Sequence, residues 1–386
     1  MFEFTVARKH MVSNPKMVLF TVMSVALAVA VIVLMMGLME GYRGEIIKST
    51  VENNPHIIIS SKENEDYISL YRTLSSTVWD YPDVQAVSPR LLGKAGAKYK
   101  DEVRGVSFVG ADPAQEDPLM HVQEDVVEGD YLDLVFKKHS AILGTKLAEE
   151  LEVKPGDDFY LIRMNRSLKL EVVGLIQTGT GSDESLVYLP LEAAQDLMDQ
   201  GDVVSQVGVR LGDIYAAPSI TDDLNARTSY DVKSWQDQSR DTLELLDTQK
   251  AIMYIFYFLV FVIAGFGVAN AMIMIVSRRT KEIGILMAMG TTGRSIVQIF
   301  LTESVIQAPP AALLGCLMAY IVARLIEAYP IEMPSDIYMV SRMTVTLTQE
   351  VFVYAVGFAI LVNLAAGVYP AYKASRLDPV AAIATE

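Results

Sequence analysis

Long uncharged stretches alternate with strongly charged ones along this chain. Residues 17–39, 251–277, 304–323 and 351–372 contain no Asp, Glu, Lys or Arg. An α-helix rises about 1.5 Å per residue, so about twenty apolar residues cross a hydrocarbon core of about 30 Å. Each stretch is long enough for this, and the pattern therefore predicts four transmembrane helices. The pair Pro309 and Pro310 predicts a kink in the third helix.

The segment between the first two stretches, residues 42–249, has the shorter periodicities of a globular fold. Runs rich in β-branched and aromatic residues, bounded by Gly, Pro or Asp, predict strands at 56–60, 96–99, 103–110, 158–163, 168–176 and 186–189. Amphipathic spacing predicts helices at 66–79, 145–151, 191–198 and 217–226. Strands outnumber helices, so the segment is predicted to be a mixed α+β domain.

The fold class that follows is a membrane protein with four transmembrane α-helices and a large α+β domain inserted between helices 1 and 2. Residues 1–41 are a lead-in and the first span, 42–249 the inserted domain, and 250–386 the remaining spans, their connections and a tail. Residues 232–264 lack Gly and Pro, so we predict one stalk helix of about 50 Å that runs into the second span. The alternative is two helices with a break near Lys250.

Charge predicts the orientation of the spans. Residues 42–249 contain 37 acidic and 20 basic residues, within a chain of net charge −15, and this excess of acid argues against binding nucleic acid. Cations flank the spans on one side: Arg8, Lys9 and Lys16, then Arg278, Arg279, Lys281 and Arg294, then Lys373 and Arg376. The positive-inside rule makes those sites cytoplasmic. The inserted domain and residues 326–350 are then predicted to lie outside.

The chain lacks a recognisable catalytic or nucleotide-binding motif. His10, His56, His121 and His139 are scattered, and the lone Cys316 rules out an intrachain disulfide. The acidic stretch 112–133 is predicted to be a loop or domain boundary with a solvated surface rather than a metal site. The stretch GTTGRS at 290–295 has the wrong spacing for a phosphate loop and carries Arg where such a loop has Lys. If ATP is used, another chain must bind it.

Small residues end the first span. Gly37, Gly41 and Gly44 lie three or four residues apart, which lets another element approach one helix face closely. The same glycines would also suit a hinge, and both interpretations remain open.

Two stretches carry a family resemblance. The sequence RRTKEIGILMAMG at 278–290 joins the second and third spans, and YPAYKASRLDPVAAI follows at 369–383. With a long outside domain before them, they resemble the permease family that includes the macrolide-exporter, cell-division and lipoprotein-releasing permeases. VRGVSFVGADP at 103–113 and AILGTKLAEELEVKPGDDFYLI at 141–162 are most similar to the lipoprotein-releasing branch.

The resemblance implies a docking segment at 279–290. In the family this segment is a coupling helix that docks in a groove of a cytoplasmic ATPase, which implies polar contacts from Lys281 and Glu282. The implied docking residues are Arg279, Lys281, Glu282, Ile283, Gly284, Ile285, Leu286, Met287, Gly290 and Arg376, with Ile283, Ile285 and Leu286 as the apolar face. Met287 stands where the family usually has a basic residue, which argues against a docking salt bridge there.

The resemblance also implies a substrate cavity. In lipoprotein-releasing relatives, spans one and two of two permease chains enclose acyl chains in a cavity that opens to the outer leaflet. The matching outer halves here contain Val33, Met36, Leu38, Met39 and Tyr42 on span one and Met253, Tyr254, Phe256 and Tyr257 on span two. The same residues would also suit contact with lipid or packing within the bundle.

The function implied is that of a non-catalytic subunit of an ABC transporter in the bacterial inner membrane. Its expected partners are an ATPase dimer that binds ATP and Mg²⁺, a second permease subunit, membrane lipid, a lipoprotein substrate and a periplasmic carrier. This chain itself is expected to bind no cofactor. The alternatives are a signalling or scaffold permease that regulates an outside enzyme, and an adaptor-dependent exporter of peptides or drugs.

Overall fold

A computed structural model describes residues 15–62, 66–179, 181–329 and 342–384. The predicted lead-in before Pro15 and residues 330–341 of the predicted outside connection between the third and fourth spans lie outside these residues. The chain divides into two compact units. The helical unit contains the described residues up to Glu45 and from Leu245 onwards, and the sheet unit contains Ile46–Glu244.

The helices have the following bounds. They are α1 Pro15–Glu52, α2 Tyr71–Trp79, α3 Pro113–Met120, α4 Val122–Asp125, α5 Leu132–Phe136, α6 Thr145–Leu151, α7 Leu191–Met198, α8 Ala217–Arg227, α9 Trp235–Gln238, α10 Arg240–Arg278, α11 Thr280–Ala288, α12 Gly293–Ala328, α13 Gln349–Ser375 and α14 Pro379–Ala384. Single 3₁₀ turns cover Gly181–Glu184 and Ile214–Ala216.

The strands belong to one sheet of ten strands. They are β1 Ile57–Ser60, β2 Val84–Tyr99, β3 Glu102–Ala111, β4 Val126–Gly129, β5 Ser140–Gly144, β6 Asp158–Arg163, β7 Arg166–Ile176, β8 Leu186–Pro190, β9 Gln206–Leu211 and β10 Asp231–Ser234. The spatial order is β10-β1-β9-β2-β3-β8-β5-β7-β4, and β6 pairs with both β2 and β7. The pairs β3–β8 and β5–β7 are parallel and the others antiparallel.

The four predicted transmembrane helices are confirmed. Helices α1, α10, α12 and α13 are each long and apolar enough to cross a membrane. Small side chains let them pack closely: a Cβ on Gly315 of α12 would lie 2.6 Å from Cβ of Val29 on α1, and one on Gly367 of α13 would lie 2.6 Å from Oγ of Ser304. Helix α12 continues through Pro309 and Pro310 without ending.

The glycine face of α1 is a packing site within the helical unit. A Cβ on Gly41 would lie 2.2 Å from the carbonyl oxygen of Thr344, and one on Gly37 would lie 2.9 Å from Cδ2 of Leu347. The backbone N–H of Thr346 donates to the carbonyl of Gly37 at 2.9 Å. Among the described residues, no atom lies within 4 Å of the equivalent position on Gly44. We call residues 344–347 the crossing segment, and its contacts favour close packing over a hinge at Gly37 and Gly41.

The predicted stalk helix does not begin at residue 232, but it does continue through Lys250 as predicted. Residues 231–234 form strand β10, which pairs with β1, and Ser234 and Asp237 then make a capping box for the short helix α9. The long helix α10 begins at Arg240 and passes Lys250 without a break. The absence of Gly and Pro allowed a helix from residue 232, but pairing with β1 takes the first residues into the sheet.

The acidic stretch 112–133 is folded rather than a loop or boundary. It forms α3, α4 and β4 and begins α5, and β4 pairs with β7 at the edge of the sheet. Asp112 caps α3 by accepting from the N–H of Ala114, and the hydroxyl of Tyr131 donates to the carbonyl of Pro113 at 2.8 Å. Leu119, Val122 and Leu134 are buried beneath these polar groups. The many charged residues led to the prediction of a solvated loop or boundary, although one side of these elements is apolar and packs on the sheet.

Candidate functional site

The predicted coupling segment is a separate helix, α11, between α10 and α12. The chain turns at Arg279, whose N–H still bonds to the carbonyls of Ile275 and Val276 and whose carbonyl accepts from the N–H of Ile283. Gly290 ends the segment with a φ of 99°, a left-handed conformation that suits glycine. Thr292 then caps α12 by accepting from the N–H of Ser295. The sequence GTTGRS therefore joins the end of one helix to the start of the next.

Helix α11 has a buried side and an exposed side. Ile283 is 1% exposed within the apolar core of the helical unit, and Gly284 is buried beside it. Lys281 and Glu282 are exposed, as are Ile285 and Met289, with exposed fractions of 43% and 72%. We call these last four residues the α11 outer face. Ile283 and Gly284 were predicted to contact an ATPase, and that part of the prediction is wrong because their own chain covers them.

The tail helix α14 is the element that covers Gly284. A Cβ on Gly284 would lie 2.8 Å from Cβ of Ala382, so only a residue without a side chain lets α11 and α14 approach this closely. Asp378 starts α14, since its carboxylate accepts from the N–H of Val380 at 2.9 Å. Val380 is 78% exposed. The sequence prediction missed this contact, although Asp378 followed by Pro379 is a recognisable helix start.

The remaining predicted docking residues lie near this helix pair or on its flanks. Leu286 and Met287 are half-buried and pack against the core of the helical unit, so Met287 makes an apolar contact in place of a charged one. Gly290 is exposed at the end of the segment. Arg376 precedes α14, and its guanidinium carbon lies 4.7 Å from the ring centroid of Tyr372, a cation–π contact. Arg279 is 3% exposed, so its side chain is covered by its own chain and the prediction that it contacts an ATPase is wrong.

The residues predicted to line a substrate cavity divide by exposure. Val33 is fully buried in the core of the helical unit and cannot line a cavity, which corrects the prediction. Tyr254 and Phe256 are exposed, and the ring of Tyr254 meets that of Tyr257 edge to face at 6.2 Å. The residues of intermediate exposure are Met36, Leu38, Met39, Tyr42, Met253 and Tyr257. Apart from Val33, each of the predicted cavity residues exposes some apolar surface that its own chain does not cover.

The sheet unit contains a cleft of about 780 Å³ that the sequence did not predict. Its walls include Trp79, which is 51% exposed, and charged groups that are already paired: Arg72 with Asp202 at 3.0 Å and Lys138 with Glu192 at 2.7 Å. Within the described ranges, no three His, Cys, Asp or Glu residues are arranged to hold a metal ion.

Comparison with known proteins identifies two family regions. A MacB-like periplasmic core domain matches residues 18–227, more than half of the chain, and an FtsX-like permease C-terminal region matches residues 254–379. The second match contains α11, α12 and α13 and most of α10.

Full-length relatives match across nearly the whole chain. The lipoprotein-releasing system transmembrane protein LolC of Neisseria meningitidis is 23% identical over 95% of this chain and 93% of its own length. LolE of Haemophilus influenzae is 24% identical over 93% and 92%. The macrolide export ATP-binding/permease protein MacB of Acinetobacter baylyi is 22% identical over 95% of this chain but only 57% of its own length. With four spans and a folded domain between the first two, this chain belongs to the ABC permease family that joins a MacB-like periplasmic core domain to an FtsX-like permease region.

Proposed function

We propose that this chain is the transmembrane subunit of an ABC transporter that extracts lipoproteins from the outer leaflet of a bacterial inner membrane and passes them to a periplasmic carrier. The observation that carries the proposal is the likeness to lipoprotein-releasing proteins over 93% to 95% of this chain, including both the sheet unit and the spans. ATP and Mg²⁺ would bind to a partner ATPase.

The α11 outer face is the proposed docking site for that ATPase. Ile285 and Met289 offer apolar contacts beside the charges of Lys281 and Glu282, a combination that suits a short helix seated in a groove of another protein. The opposite side is held in the core by Ile283 and covered by α14 at Gly284. Movement of the ATPase against the α11 outer face would therefore displace a helix that is already packed into the helical unit.

The proposed work of the transporter is mechanical. Closure of the ATPase dimer would move α11, tilt the spans and compress a cavity between two permease subunits, so that the substrate leaves the outer leaflet without crossing the bilayer. The exposed aromatic residues Tyr254 and Phe256, with the half-exposed Met36, Met39 and Met253, would contact the acyl chains. Flexible methionine and flat aromatic side chains can adapt to acyl chains of varied length.

Export of a different substrate is the second candidate function. The likeness to MacB over 95% of this chain supports it, since that protein is named for macrolide export. An exporter of this kind would need an adaptor on the sheet unit and would not retain lipidated protein. A signalling permease, in turn, would change the activity of an outside enzyme without moving any lipid.

The test is to purify the chain in membrane mimetic with the ATPase encoded beside it, and to identify bound lipids and proteins by mass spectrometry. We expect lipidated protein to copurify, and ATP with Mg²⁺ to release it to a soluble acceptor. If every lipoprotein tested stays bound while ATP is hydrolysed, lipoprotein extraction is wrong. Bound adaptor or ATP-dependent drug efflux would then favour the second candidate.

A further inference from the structure

Helix α5 exposes three large apolar side chains in the sheet unit. Leu132 is 49% exposed, Val135 43% and Phe136 80%. They are the first, fourth and fifth residues of the helix, and residues at this spacing share one face because a helical turn takes about 3.6 residues. Leu134 lies on the opposite side and is buried. We call Leu132, Val135 and Phe136 the α5 apolar face.

Phe136 differs in its surroundings from the other exposed phenylalanines of the described residues. Phe20, Phe256, Phe258 and Phe266 are exposed on α1 and α10, where lipid can cover them. Phe136 belongs to the sheet unit, outside the spans. Clustered apolar side chains on the surface of a folded domain, and aromatic ones above all, are typical of a surface that another molecule covers.

Contacts at both ends hold α5 in place. At its start, the carboxylate of Asp130 accepts from the N–H of Leu132 at 2.8 Å. After its end, the ammonium group of Lys137 lies 3.1 Å from the carboxylate of Asp133 and 2.8 Å from that of Glu171 on β7. A helix of five residues is not stable alone, so these contacts fix the α5 apolar face. A surface that is ordered before binding loses little conformational entropy when a partner binds.

The charges around the α5 apolar face are mainly acidic. The contacts just described bring three carboxylates to this helix but only one ammonium group. The next cation along the chain, Lys138, is already paired with Glu192 at 2.7 Å. The sheet unit has the same sign overall, since residues 42–249 contain 37 acidic and 20 basic residues. A surface complementary to α5 therefore has an apolar pocket with Lys or Arg at its rim.

The same charges disfavour two other occupants. A second copy of this chain has a net charge of −15 as well, so it would place acidic groups against acidic groups. Helices that lie on a membrane surface carry Lys and Arg beside their apolar face, whereas α5 is flanked by Asp130 and contains Asp133. The surface chemistry therefore favours a protein partner of opposite charge.

We propose that the α5 apolar face is the docking site for a soluble protein that presents an apolar pocket bordered by Lys or Arg. Phe136 is the anchor that enters the pocket, and the carboxylates of Asp130 and Asp133 pair with its rim. The site lies on the sheet unit and is separate from the α11 outer face. The inference does not depend on which substrate the transporter moves.

The test is photo-crosslinking from the full chain in intact cells. Phe136 is replaced by p-benzoylphenylalanine, which on irradiation bonds to the molecule that covers this position. Tyr215 is replaced in the same way as a matched control, because it is also aromatic and is 69% exposed in the sheet unit. Mass spectrometry identifies the captured molecule and the position of the crosslink within it.

The contribution of charge is tested with Asp130→Asn and Asp133→Asn combined in the chain that carries the crosslinker at position 136. Asn also accepts a hydrogen bond at a helix start, so the first substitution removes the charge and keeps the bond to Leu132. Asp213→Asn is the matched control, because the carboxylate of Asp213 accepts from the N–H of Tyr215 at 2.9 Å in the same way.

We expect position 136 to crosslink one soluble protein, within an apolar surface bordered by Lys or Arg, at least about tenfold more than position 215 does. The yield should fall about fivefold in the double Asn variant and stay unchanged with Asp213→Asn. With the purified chain and the captured protein mixed in detergent, raising the salt concentration from about 0.05 to about 0.5 M should lower the yield similarly, because salt screens the charges without changing the chain.

Four results would overturn the inference. They are a crosslink to a second copy of this chain, a crosslink to lipid, no crosslink at position 136, and equal capture of the same protein from position 215. A captured protein whose yield changes neither with salt nor in the double Asn variant would also contradict it, because recognition would then not involve the acidic groups. The salt series keeps this test valid if the double variant folds poorly.

Discussion

The two units of this protein both bury charged side chains, but the surroundings of those side chains differ. In the sheet unit, Nη2 of Arg90 lies 3.0 Å from Oε1 of Glu116, with both side chains almost fully buried, and Ser88 donates to the other carboxylate oxygen at 2.7 Å. This pair ties α3 to β2 within one sheet. In the helical unit, Arg279 is buried at the turn between α10 and α11, and we propose that these helices move. A buried charge therefore belongs to a fixed scaffold in one unit and to a turn between two helices in the other.

The Arg90–Glu116 pair need not be the most stable choice for its position. Burying two charges costs desolvation energy that their attraction often only offsets, whereas removing one partner is strongly destabilising. We therefore predict that disruption of the Arg90–Glu116 pair affects folding of the sheet unit, while substitutions on the α11 outer face affect docking of the ATPase.

Glu116→Ala should produce the largest loss of stability. It leaves Arg90 buried without its carboxylate, which costs about 3–5 kcal/mol. Hydrogen exchange of the backbone of β2 and β9 measures the effect. Glu192→Ala, which removes an exposed pair with Lys138, is the control and should leave exchange unchanged. Equal effects of the two substitutions would mean that the buried pair does not fix the scaffold.

Lowering the pH should also reduce the stability of the sheet unit, because the folded state excludes a proton from His56. Nδ1 of His56 accepts from the N–H of Leu211 at 3.0 Å, and burial, aided by the charge of Arg210, lowers its pKa from 6.5 to about 4. The unfolded chain therefore binds a proton that the folded chain excludes, and stability falls as the pH drops from about 6.5 to about 4. The full difference is about 3 kcal/mol.

Hydrogen exchange of β1 and β9 as a function of pH checks this prediction, and His56→Gln should remove that part of the pH dependence. An unchanged pH profile in the variant would show that other groups cause the acid sensitivity.

Gly41→Leu should disturb the helical unit without affecting the Arg90–Glu116 pair. The new side chain would overlap the carbonyl of Thr344, and overpacking of this kind costs about 1–3 kcal/mol. Gly44→Leu is a matched control one turn away, where the space is open. The measurement is thermal unfolding in detergent together with the reactivity of a cysteine placed at Thr346. Equal reactivity in both variants would mean that the crossing segment does not pack on Gly41.

Ile285→Ser should have the smallest effect on stability and a specific effect on binding. Ile285 is exposed on the α11 outer face, so its loss should weaken ATPase affinity about tenfold with little change in unfolding. Ile283→Ala provides the contrast, because a buried isoleucine costs about 2–5 kcal/mol when truncated. Titration of the ATPase against each variant separates the two. Weaker binding only for Ile283→Ala would place the docking surface elsewhere.

The sequence predicts some of these features well because their causes are local. The bilayer requires long apolar helices, so α1, α10, α12 and α13 could be found from hydropathy alone. Contacts between distant residues were harder to predict. The burial of Gly284 depends on Ala382, about one hundred residues later, and strand β10 forms because β1 offers it a partner. The burial of Leu119 and Leu134 was not predicted, because polar residues outnumber apolar ones in the acidic stretch 112–133.

Complex formation by Glu282→Lys tests whether the ATPase docks on the α11 outer face. Glu282 is exposed on the α11 outer face, so reversing its charge should disrupt docking without affecting the core or insertion into the membrane. The variant and Arg278→Gln are expressed with the ATPase, and the amount of ATPase that copurifies is measured. We expect the ATPase to be lost with Glu282→Lys and retained with Arg278→Gln, at equal amounts of permease in the membrane. Full retention of the ATPase by Glu282→Lys would contradict docking through this face.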